Sequence, residues 1–327
     1  MRAVVITQHP EQPTLGVEEV DPSLLEGEVL IAVEYTGVNF KDSMTLARGN
    51  RVARLSPLIG GVDLAGTVIE SSDPGVAVGS TVIAHGHGVG TSHHGGFAEL
   101  ARIPSEWVTP LPAELDARSA MVLGTAGFTA MASLAALEAA GLRPSDGELL
   151  VTGAAGGVGS TAVALAAASG FDVVGSSGRP SEADYLHRIG CSSVIGRDDI
   201  DPTPTRSLSI ERWSGAIDCV GGSTLAGVLR TLHYGAAVAA SGLTGGTELT
   251  TSVFPFIVRG VKLLGIDSVE MPTPQRSEIW RQLGRRFPLA NIEEILEREV
   301  GLDEVPEVLR SIASGQVRGR IIVDPRR

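Results

Sequence analysis

The stretch Val151-Thr-Gly-Ala-Ala-Gly-Gly-Val-Gly-Ser160 decides the fold, because it joins a predicted strand to a predicted helix. Gly153, Gly156 and Gly159 recur at every third position within it. Glycines at this spacing permit a sharp turn, a close approach of the backbone to a pyrophosphate and tight packing of helix on strand. The start of the helix adds free N–H groups and a positive dipole end. The stretch therefore predicts a dinucleotide-binding site.

The chain around this stretch has the pattern of an α/β domain. Strand and helix patterns alternate from residue 148 to residue 241, with helices expected at 157–169 and 181–189, and a further strand is expected at 261–269. Such alternation is typical of parallel βαβ units. The first 110 residues instead carry short β-branched runs between glycine turns. We therefore predict an α/β protein that combines a Rossmann doubly wound parallel sheet with a β-rich domain.

The end of the second strand of this sheet indicates which dinucleotide binds. An NAD site usually places an acidic residue there, about 20 residues after the glycine loop, for the ribose hydroxyls. Here the strand ends in Ser177, Gly178 and Arg179, with no acidic residue. A hydroxyl, a backbone N–H and a guanidinium suit a 2′-phosphate, so NADPH is the predicted cofactor. A surface arginine ahead of Pro180 is the alternative for Arg179, and Arg197 is a second candidate for the phosphate.

Composition excludes several classes of protein. The chain has 327 residues, of which 26 are Lys or Arg and 38 are Asp or Glu, so its formal charge is −12. This charge argues against a general nucleic-acid or membrane-surface binder. The two cysteines, Cys191 and Cys219, are too few for a disulfide framework or a cysteine-rich zinc lobe. The N-terminus has no apolar signal core, so a cytoplasmic protein is expected.

Two further features have alternative explanations. Residues 119–137 and 149–171 carry no charge and are long enough to span a bilayer, but their Ala, Ser, Thr and Gly content favours buried core elements. Four histidines lie in the glycine-rich loop 85–96. The adjacent pair His93 and His94 is poorly placed to share one ion, so we predict no metal site and a loop that lines a cleft.

Eight stretches carry a family pattern: Gly37-Val-Asn-Phe-Lys-Asp42, Gly60-Gly-Val-Asp-Leu-Ala-Gly66, Gly88-Val-Gly-Thr-Ser-His-His-Gly-Gly-Phe-Ala-Glu99, Gly124-Thr-Ala-Gly-Phe-Thr-Ala130, the glycine loop quoted above, Ser177-Gly-Arg179, Pro255-Phe-Ile257 and Gly265-Ile-Asp-Ser-Val269. On these motifs the whole chain resembles the medium-chain dehydrogenase/reductase superfamily, in its zinc-free quinone oxidoreductase branch. Within that branch it is most similar to the bacterial acryloyl-CoA reductases.

The resemblance implies a domain organisation and a set of cofactor contacts. A barrel-like, GroES-like catalytic domain (1–122 and 266–327) is interrupted by the Rossmann dinucleotide-binding domain (123–265). A homodimer joined by the late strand around 262–269 is implied as well. The NADPH contacts implied at matching positions are Phe40, Thr129, Gly156, Gly157, Val158, Gly159, Ser177, Gly178, Arg179, Arg197, Leu243, Ile257 and Ser268.

The resemblance also implies an activity: NADPH-dependent reduction of the C=C bond of an α,β-unsaturated acyl-CoA, of the acryloyl-CoA to propanoyl-CoA type, by hydride transfer to the β-carbon. Asn39 is the candidate hydrogen-bond donor to the developing carbonyl oxygen, and Asp42 is the candidate proton relay. Pairing of Asp42 with Lys41, a loop cap, and protonation by water are the alternatives. Asp63 is expected to hold the backbone of the turn before it. Related sequences usually carry Tyr where this chain has Phe40, which keeps the ring and loses the hydroxyl.

A local basic stretch indicates where a CoA ester binds. Arg48, Arg51 and Arg54 fall within seven residues, and no acidic residue occurs from 43 to 62. These arginines are the predicted contacts of the CoA phosphates, and a solvated loop is the alternative. Two other functions stay open: a quinone or 2-alkenal reductase without CoA preference, and a weakly catalytic NADPH-binding protein.

Overall fold

The computed structural model describes residues 1–201 and 205–327. The β-strands in this part of the chain are β1 (Arg2–Thr7), β2 (Thr14–Glu19), β3 (Val29–Gly37), β4 (Leu58–Ile59), β5 (Asp63–Ser71), β6 (Thr81–His85), β7 (Leu100–Ile103), β8 (Val108–Pro110), β9 (Glu148–Thr152), β10 (Asp172–Ser176), β11 (Ser193–Ile195), β12 (Trp213–Asp218), β13 (Leu232–Ala240), β14 (Lys262–Gly265), β15 (Leu296–Val300) and β16 (Arg320–Val323). The α-helices are α1 (Phe40–Met44), α2 (Ala117–Ala139), α3 (Gly157–Ala168), α4 (Ala183–Ile189), α5 (Gly222–Thr231), α6 (Phe254–Arg259), α7 (Thr273–Arg286), α8 (Ile292–Ile295) and α9 (Val305–Ala313).

The described residues form two compact units. Unit 1 comprises Met1–Ala126, Ser268–Arg285 and Leu296–Arg327, and unit 2 comprises Gly127–Asp267 and Arg286–Ile295. The boundaries expected from the sequence, 122/123 and 265/266, lie a few residues before these divisions.

Residues 286–295 belong to unit 2, although the sequence analysis assigned them to the catalytic domain. Arg286 makes a bidentate ion pair with Glu138, with nitrogen–oxygen distances of 2.9 and 2.7 Å. Ile292 and Ile295 are buried. These tertiary contacts hold the segment in unit 2, and the local sequence carries no signal for them.

Unit 2 is built on a six-stranded parallel sheet with the order β11-β10-β9-β12-β13-β14. Counted from β9 as the first strand, this order is 3-2-1-4-5-6, the doubly wound order of the Rossmann fold. The order reverses between β9 and β12, so a crevice opens at the carboxyl ends of these two strands. The predicted doubly wound parallel sheet is confirmed.

Unit 1 is β-rich. Its larger sheet has the order β15-β16-β3-β5-β6-β8, with β7 also paired to β3, and its smaller sheet has the order β2-β1-β4. The last strand, β16, pairs antiparallel with β3, and Ile322 lies opposite Gly37. The C-terminal tail thus completes a sheet whose first strand in the sequence is β3, as the predicted fold requires.

The alternation of apolar residues explains why β3 packs as it does. Val29, Ile31 and Val33 point to one face and are buried against Leu64 and Val68 of β5. Because successive side chains of a strand point to opposite faces, this period fixes the register of the two strands. The register shift between Val33 and Tyr35 of β3 lies just before the strand enters the polar cluster described below.

Helix α2 contains the first uncharged stretch. In residues 1–201 and 205–327 it is the one helix long and apolar enough to cross a membrane, and 83% of its most apolar window is buried in the protein. Such burial is typical of a core helix. The second stretch is not one helix, because it contains β9, the glycine loop and α3.

Candidate cofactor site and active site

The glycine loop after β9 has the geometry that a dinucleotide requires. Helix α3 begins at Gly157, and its N-cap is Gly156, which has no side chain to occupy the first N–H groups. A Cβ atom on Gly159 would overlap the carbonyl oxygen of Gly153 and lie 2.7 Å from Cα of Ala154. The helix therefore packs directly on the loop only because position 159 is glycine.

The turn after β10 gathers the residues expected to hold a 2′-phosphate. Oγ of Ser177 accepts the backbone N–H of Arg179 at 3.0 Å, and Nη2 of Arg179 donates to the carbonyl of Ala155 at 3.2 Å. The guanidinium of Arg197 packs against Gly178, where a Cβ atom would lie 2.7 Å from its Cζ. The three-residue turn thus contains one arginine and no carboxylate, and the guanidinium of a second arginine lies against it.

The structure adds residues at the crevice that the sequence analysis did not name. Oγ1 of Thr152 donates to Oδ1 of Asp218 at 2.7 Å, and Oδ2 of Asp218 accepts the N–H of Gly221 at 2.8 Å. Burial raises the pKa of Asp218, and these hydrogen bonds oppose that rise. A Cβ atom on Gly222 would lie 2.6 Å from the carbonyl oxygen of Gly245. The pair Gly221-Gly222, three residues after the end of β12, was the available sequence signal for this close approach.

Five further predicted cofactor contacts are spread over both units. Phe40 begins α1 and, with Ser268, belongs to unit 1. Thr129 is buried in the part of α2 that belongs to unit 2. Leu243 and Ile257, also in unit 2, are 43% and 72% exposed. Exposed apolar side chains of this size suit a ligand or a partner surface, and their contact with a cofactor stays a prediction.

Unit 1 holds a buried polar cluster around Asp63, the first residue of β5. Its Oδ1 accepts the N–H of Gly37 at 2.8 Å, and its Oδ2 accepts the N–H of Thr125 and Nδ2–H of Asn39, both at 2.9 Å. Asp63 is fully buried. It holds backbone, as expected, but the backbone belongs to distant segments and not to the turn before it.

Arg320, at the start of β16, supplies the positive charge of this cluster. It is buried, and it donates from Nε to the carbonyl of Val122 at 2.9 Å and from Nη1 to the carbonyl of Val38 at 3.1 Å. Nη1 also lies 3.2 Å from Oδ1 of Asn39. Burial lowers the pKa of this guanidinium, and the nearby carboxylates, Asp63 first, oppose that change.

Two motif glycines leave the space that this cluster occupies. A Cβ atom on Gly37 would lie 2.6 Å from Nη2 of Arg320 and 2.8 Å from Oδ1 of Asp63. A Cβ atom on Gly124 would lie 2.7 Å from Nη2 and 2.8 Å from Oδ2 of the same two residues. Gly124 also has a φ of 53° and ψ of −156°, which bends α2 and which a residue with a side chain rarely adopts.

Asn39 and Asp42, the two candidates for catalysis, are both engaged within unit 1. Nδ2 of Asn39 is directed at Asp63 and, at 3.4 Å, at the carbonyl of Gly37. Asp42 is 2% exposed; its Oδ2 accepts the N–H of Asn39 at 2.8 Å and its Oδ1 accepts the N–H of Val62 at 2.9 Å. The carboxylate, at the third position of α1, completes a capping box with the N-cap residue Asn39, and a role of Asp42 as proton relay stays a prediction. Burial first, and the nearby charge of Asp63 second, raise the pKa of Asp42 to about 7.

Of the three loop arginines, one lines a cavity in the structure. Arg48, Arg51 and Arg54 are exposed. The backbone N–H of Arg54 donates to the carbonyl of Thr91 at 2.8 Å, and its side chain lines a cavity in unit 1. Arg48 and Arg51 do not line that cavity. A common contact of all three with CoA phosphates stays a prediction.

The loop histidines have separate partners. Nε2 of His85 accepts the indole N–H of Trp280 at 2.8 Å, and Nδ1 of His94 accepts the N–H of Ile59 at 3.1 Å. Within residues 1–201 and 205–327, no group of three His, Cys, Asp or Glu side chains is arranged to hold a metal ion.

Two protein-family models match the chain in the order of its two folds. The alcohol dehydrogenase GroES-like domain matches residues 25–113, within the β-rich unit 1. The zinc-binding dehydrogenase model matches residues 157–285, which begin at the helix after the glycine loop.

Two similar proteins match nearly the full chain. The sequence is 46% identical to the acrylyl-CoA reductase AcuI of Ruegeria pomeroyi, over 91% of this chain and 90% of that protein. It is also 46% identical to the putative quinone oxidoreductase YhfP of Bacillus subtilis, over 90% of this chain and 89% of that protein.

Two solved structures are similar over nearly the full chain. Escherichia coli K-12 YhdH with bound NADPH has a TM-score of 0.95 and 44% identity, and the match covers 98% of this chain and 99% of that one. Bacillus subtilis YhfP with NAD bound has a TM-score of 0.96 and 43% identity, with coverage of 99% and 98%. The chain therefore belongs to the medium-chain dehydrogenase/reductase family, in the branch that contains the YhfP-type quinone oxidoreductases and the acrylyl-CoA reductases.

Proposed function

We propose that this protein is an NADPH-dependent reductase of the C=C bond of α,β-unsaturated acyl-CoA esters, of the acryloyl-CoA to propanoyl-CoA type. The observation that carries the choice of cofactor is the acid-free turn at Ser177–Arg179, which contains Arg179 and has the guanidinium of Arg197 packed against Gly178. The similarity to AcuI supports the choice of substrate class.

The residues of unit 2 fit the cofactor. A bound NADPH would supply the hydride that this reduction needs at the β-carbon. The N–H groups at Gly157–Gly159 would hold its pyrophosphate, and the turn at Ser177–Arg179 would hold its 2′-phosphate. In this proposal residues 123–265 are the dinucleotide-binding part of the chain, and residues 1–122 and 266–327 carry the substrate site.

We assign Asn39 and Asp42 a positioning role in this reaction. The amide of Asn39 is directed at Asp63 and Gly37, and both carboxylate oxygens of Asp42 accept backbone N–H groups. The C=C bond gains the hydride at its β-carbon, the charge passes to the carbonyl oxygen as an enolate, and water protonates the α-carbon. Phe40 keeps a ring at the start of α1, and Phe40→Tyr measures what the missing hydroxyl contributes to kcat.

A homodimer is part of the proposal. Strand β14 is an edge of the unit 2 sheet, and its residues are largely exposed. Nearby apolar side chains are exposed as well: Tyr234 at 77%, Ile257 at 72% and Val258 at 51%. An exposed sheet edge with apolar neighbours favours pairing with a second chain. Light scattering on the purified protein tests this, and a monomer at micromolar concentration would contradict it.

We further propose that the enzyme works in the cytoplasm and without zinc. Two of the loop histidines already accept hydrogen bonds within the protein, His85 from the indole N–H of Trp280 and His94 from the backbone N–H of Ile59, and this supports a zinc-free site. Activity measured after dialysis against a chelator, and again after addition of Zn²⁺, tests the second point. Loss of activity on chelation that zinc restores would contradict it.

The experiment that tests the activity follows the absorbance of reduced nicotinamide. Purified protein is mixed with NADPH and acryloyl-CoA, and NADH, a free 2-alkenal and a quinone are tested in parallel. Oxidation of NADPH with formation of propanoyl-CoA, identified by mass spectrometry, supports the proposal. Turnover of quinone or alkenal without turnover of the CoA ester would assign the protein to the alternative that the similarity to YhfP favours. Cofactor binding without turnover would make it an NADPH-binding protein with little catalysis.

A further inference from the structure

A cavity of about 470 Å³ lies within unit 1, separate from the Asp63 cluster. The size is in the range of sites for small organic ligands. Its walls come from the arginine stretch, the histidine loop, the turn before β8, and the segment before α7. The side chains that matter here are Arg54, His87, Ser92, Glu106, Trp107 and Glu270.

His87 adopts a strained backbone conformation at this cavity. Its φ is 46°, and among the residues that the structure describes it is the one non-glycine residue with positive φ. Its N–H donates to the carbonyl of Val269 at 2.7 Å. Gly86 also packs closely there, since a Cβ atom on it would lie 2.8 Å from the carbonyl oxygens of both Ser268 and Val269. Backbone outliers of this kind persist where the surroundings fix them, often at ligand sites.

Residues 268–271, whose backbone accepts the N–H of His87, are themselves anchored by a buried arginine. Arg276 is fully buried, and its Nη2 donates to the carbonyls of Val269 and Met271 at 2.9 and 3.2 Å. Nη1 of Arg276 donates to the carbonyl of Ser268 at 3.3 Å. The position of the His87 ring is therefore set before any ligand binds.

The His87 ring presents one unsatisfied nitrogen. It stacks on Trp107, with centroids 5.4 Å apart and planes 12° apart. Nδ1 lies 3.7 Å from Oε2 of Glu270, whereas Nε2 is buried and makes no hydrogen bond in the described part of the chain. Burial first, and the charge of Arg276 second, lower the pKa of His87, so the ring is neutral at pH 7. If Nδ1 carries the proton that faces Glu270, Nε2 is an acceptor.

The other walls also offer mainly acceptors. Glu106 and Glu270 contribute two carboxylates and Arg54 contributes one guanidinium. A phosphate would meet this excess of negative charge at close range and would be repelled. A neutral group with N–H donors and a carbon skeleton that packs on Trp107 is the chemistry that matches these walls.

We propose that this cavity is a subsite for the N–H-donating part of the acyl-CoA substrate, with Nε2 of His87 accepting one of its hydrogen bonds and Trp107 packing on its apolar carbons. The inference rests on the proposed function for the identity of the ligand. A CoA ester carries such N–H groups in two places, the amides of the pantetheine arm and the amino group of adenine. Arg48 and Arg51, outside the cavity, stay available to the phosphates.

Binding measurements separate this proposal from the proposed reaction. We expect His87→Asn, which tolerates positive φ, to weaken the binding of propanoyl-CoA about tenfold in calorimetry. His87→Gln restores an acceptor near Nε2 and should recover most of that loss. The Kd of NADPH should change less than about twofold in both variants. Wild-type protein that binds propanoyl-CoA but does not reduce acryloyl-CoA would refute the reaction alone.

A comparison of two substrates identifies which part of the ligand binds in the cavity. An equal rise in KM for acryloyl-CoA and acryloyl-pantetheine in His87→Asn assigns the subsite to the pantetheine arm. A rise confined to acryloyl-CoA assigns it to adenine. Unchanged binding and unchanged KM for both esters would overturn the proposal.

The direction of the change in affinity in Glu270→Gln distinguishes an N–H donor from a phosphate in this cavity. Glu270→Gln removes negative charge, so it should strengthen the binding of propanoyl-CoA if a phosphate lies there and weaken it if an N–H donor does. His93→Gln is the matched control. His93 contacts the edge of the same Trp107 ring at 5.4 Å, but it does not line the cavity. Tighter binding by Glu270→Gln, or an equal loss in the His93 control, would overturn the proposal.

Discussion

Oδ2 of Asp63 lies 2.9 Å from Nδ2 of Asn39 and accepts its hydrogen bond in a site from which water is excluded. The same oxygen accepts the N–H of Thr125, and the other oxygen accepts the N–H of Gly37. One carboxylate thus joins the end of β3, the loop before α1 and the bend of α2, with Arg320 beside it. The segment that contains Asn39 and Phe40 is held in place by this carboxylate.

Asp63→Asn should destabilise the protein strongly. The change keeps the shape of the side chain but replaces one accepting carboxylate oxygen with a donating NH2 group. It also leaves the buried Arg320 without the charge of Asp63. We expect a loss of about 3 kcal/mol in the free energy of unfolding, because the buried charge of Arg320 then lacks the nearby negative charge that compensates it. Urea denaturation measures it. Asp73→Asn is the control, because the carboxylate of Asp73 lies at the surface, where its hydrogen bonds are to Gly75 and Ser105, and its loss should cost less than about 1 kcal/mol. Equal losses in the two variants would contradict the account.

The carboxyl group of Asp42 should make stability depend on pH. Its pKa is raised to about 7 by burial and by Asp63, with Arg320 and two backbone N–H groups opposing the rise. In the unfolded chain the carboxyl group of Asp42 has an ordinary pKa of about 3.9. Between about pH 4 and pH 7 this group therefore keeps its proton in the folded state and has lost it in the unfolded state. The contribution of the Asp42 carboxyl group to the free energy of unfolding is thus complete below pH 4 and is lost as the pH rises to 7. The free energy of unfolding should fall by at most about 1.4 kcal/mol per pH unit over this range.

Asp42→Asn removes this titration. The free-energy gap between wild type and variant, measured in urea at pH 5, 6, 7 and 8, should favour wild type most at pH 5 and shrink toward pH 8. Comparison with the variant cancels the opposite contributions of His85, His87 and His94, whose lowered pKa values make the fold more stable as pH rises. A gap that does not change with pH would show that Asp42 is ionised throughout.

The Rossmann half could be predicted because its signals are local. The helix expected at 157–169 is observed as Gly157–Ala168, since the glycine spacing marks its start. The helix expected from Ser181 begins instead at Ala183, because a 3-10 turn at Pro180–Glu182 comes first. The strand expected at 261–269 ends at Gly265, where its pairing with β13 ends. The ends of helices and strands depend on neighbouring strands and turns, which the periodicity of apolar residues along the sequence does not describe.

The polar cluster could be predicted only in part. The sequence picked out Asn39, Asp42 and Asp63 as motif residues, but not Arg320, which lies near the other end of the chain in an ordinary apolar strand. Only the pairing of β16 with β3, with Ile322 opposite Gly37, brings it to the others. The roles expected for Asn39 and Asp42 came from the chemistry of the side chains, whereas their hydrogen bonds depend on the fold; the catalytic roles stay predictions.

Gly159→Ala should damage the cofactor site. The added Cβ would meet the backbone of Gly153 and Ala154, neither of which is the end of a flexible side chain. The helix must then move off the loop, and we expect NADPH to bind at least about tenfold more weakly and the protein to lose about 1–3 kcal/mol of stability. Gly16→Ala in β2 is the control, because a Cβ there meets no atom within 4 Å. Normal NADPH affinity in Gly159→Ala would refute this explanation of the motif.

Arg179→Ala should change the choice between NADPH and NADH. Loss of a charge-assisted hydrogen bond to a 2′-phosphate is worth about 1.5–3 kcal/mol, so KM for NADPH should rise about 10- to 100-fold. Arg179 also donates to the carbonyl of Ala155, and a loop disturbed by losing that bond would weaken both cofactors alike. KM for NADH should therefore change less than about threefold if the phosphate contact dominates. Arg188→Ala is the control, because its ion pair with Glu294 lies at the surface. Equal losses for the two dinucleotides would show that Arg179 supports the loop and does not select the cofactor.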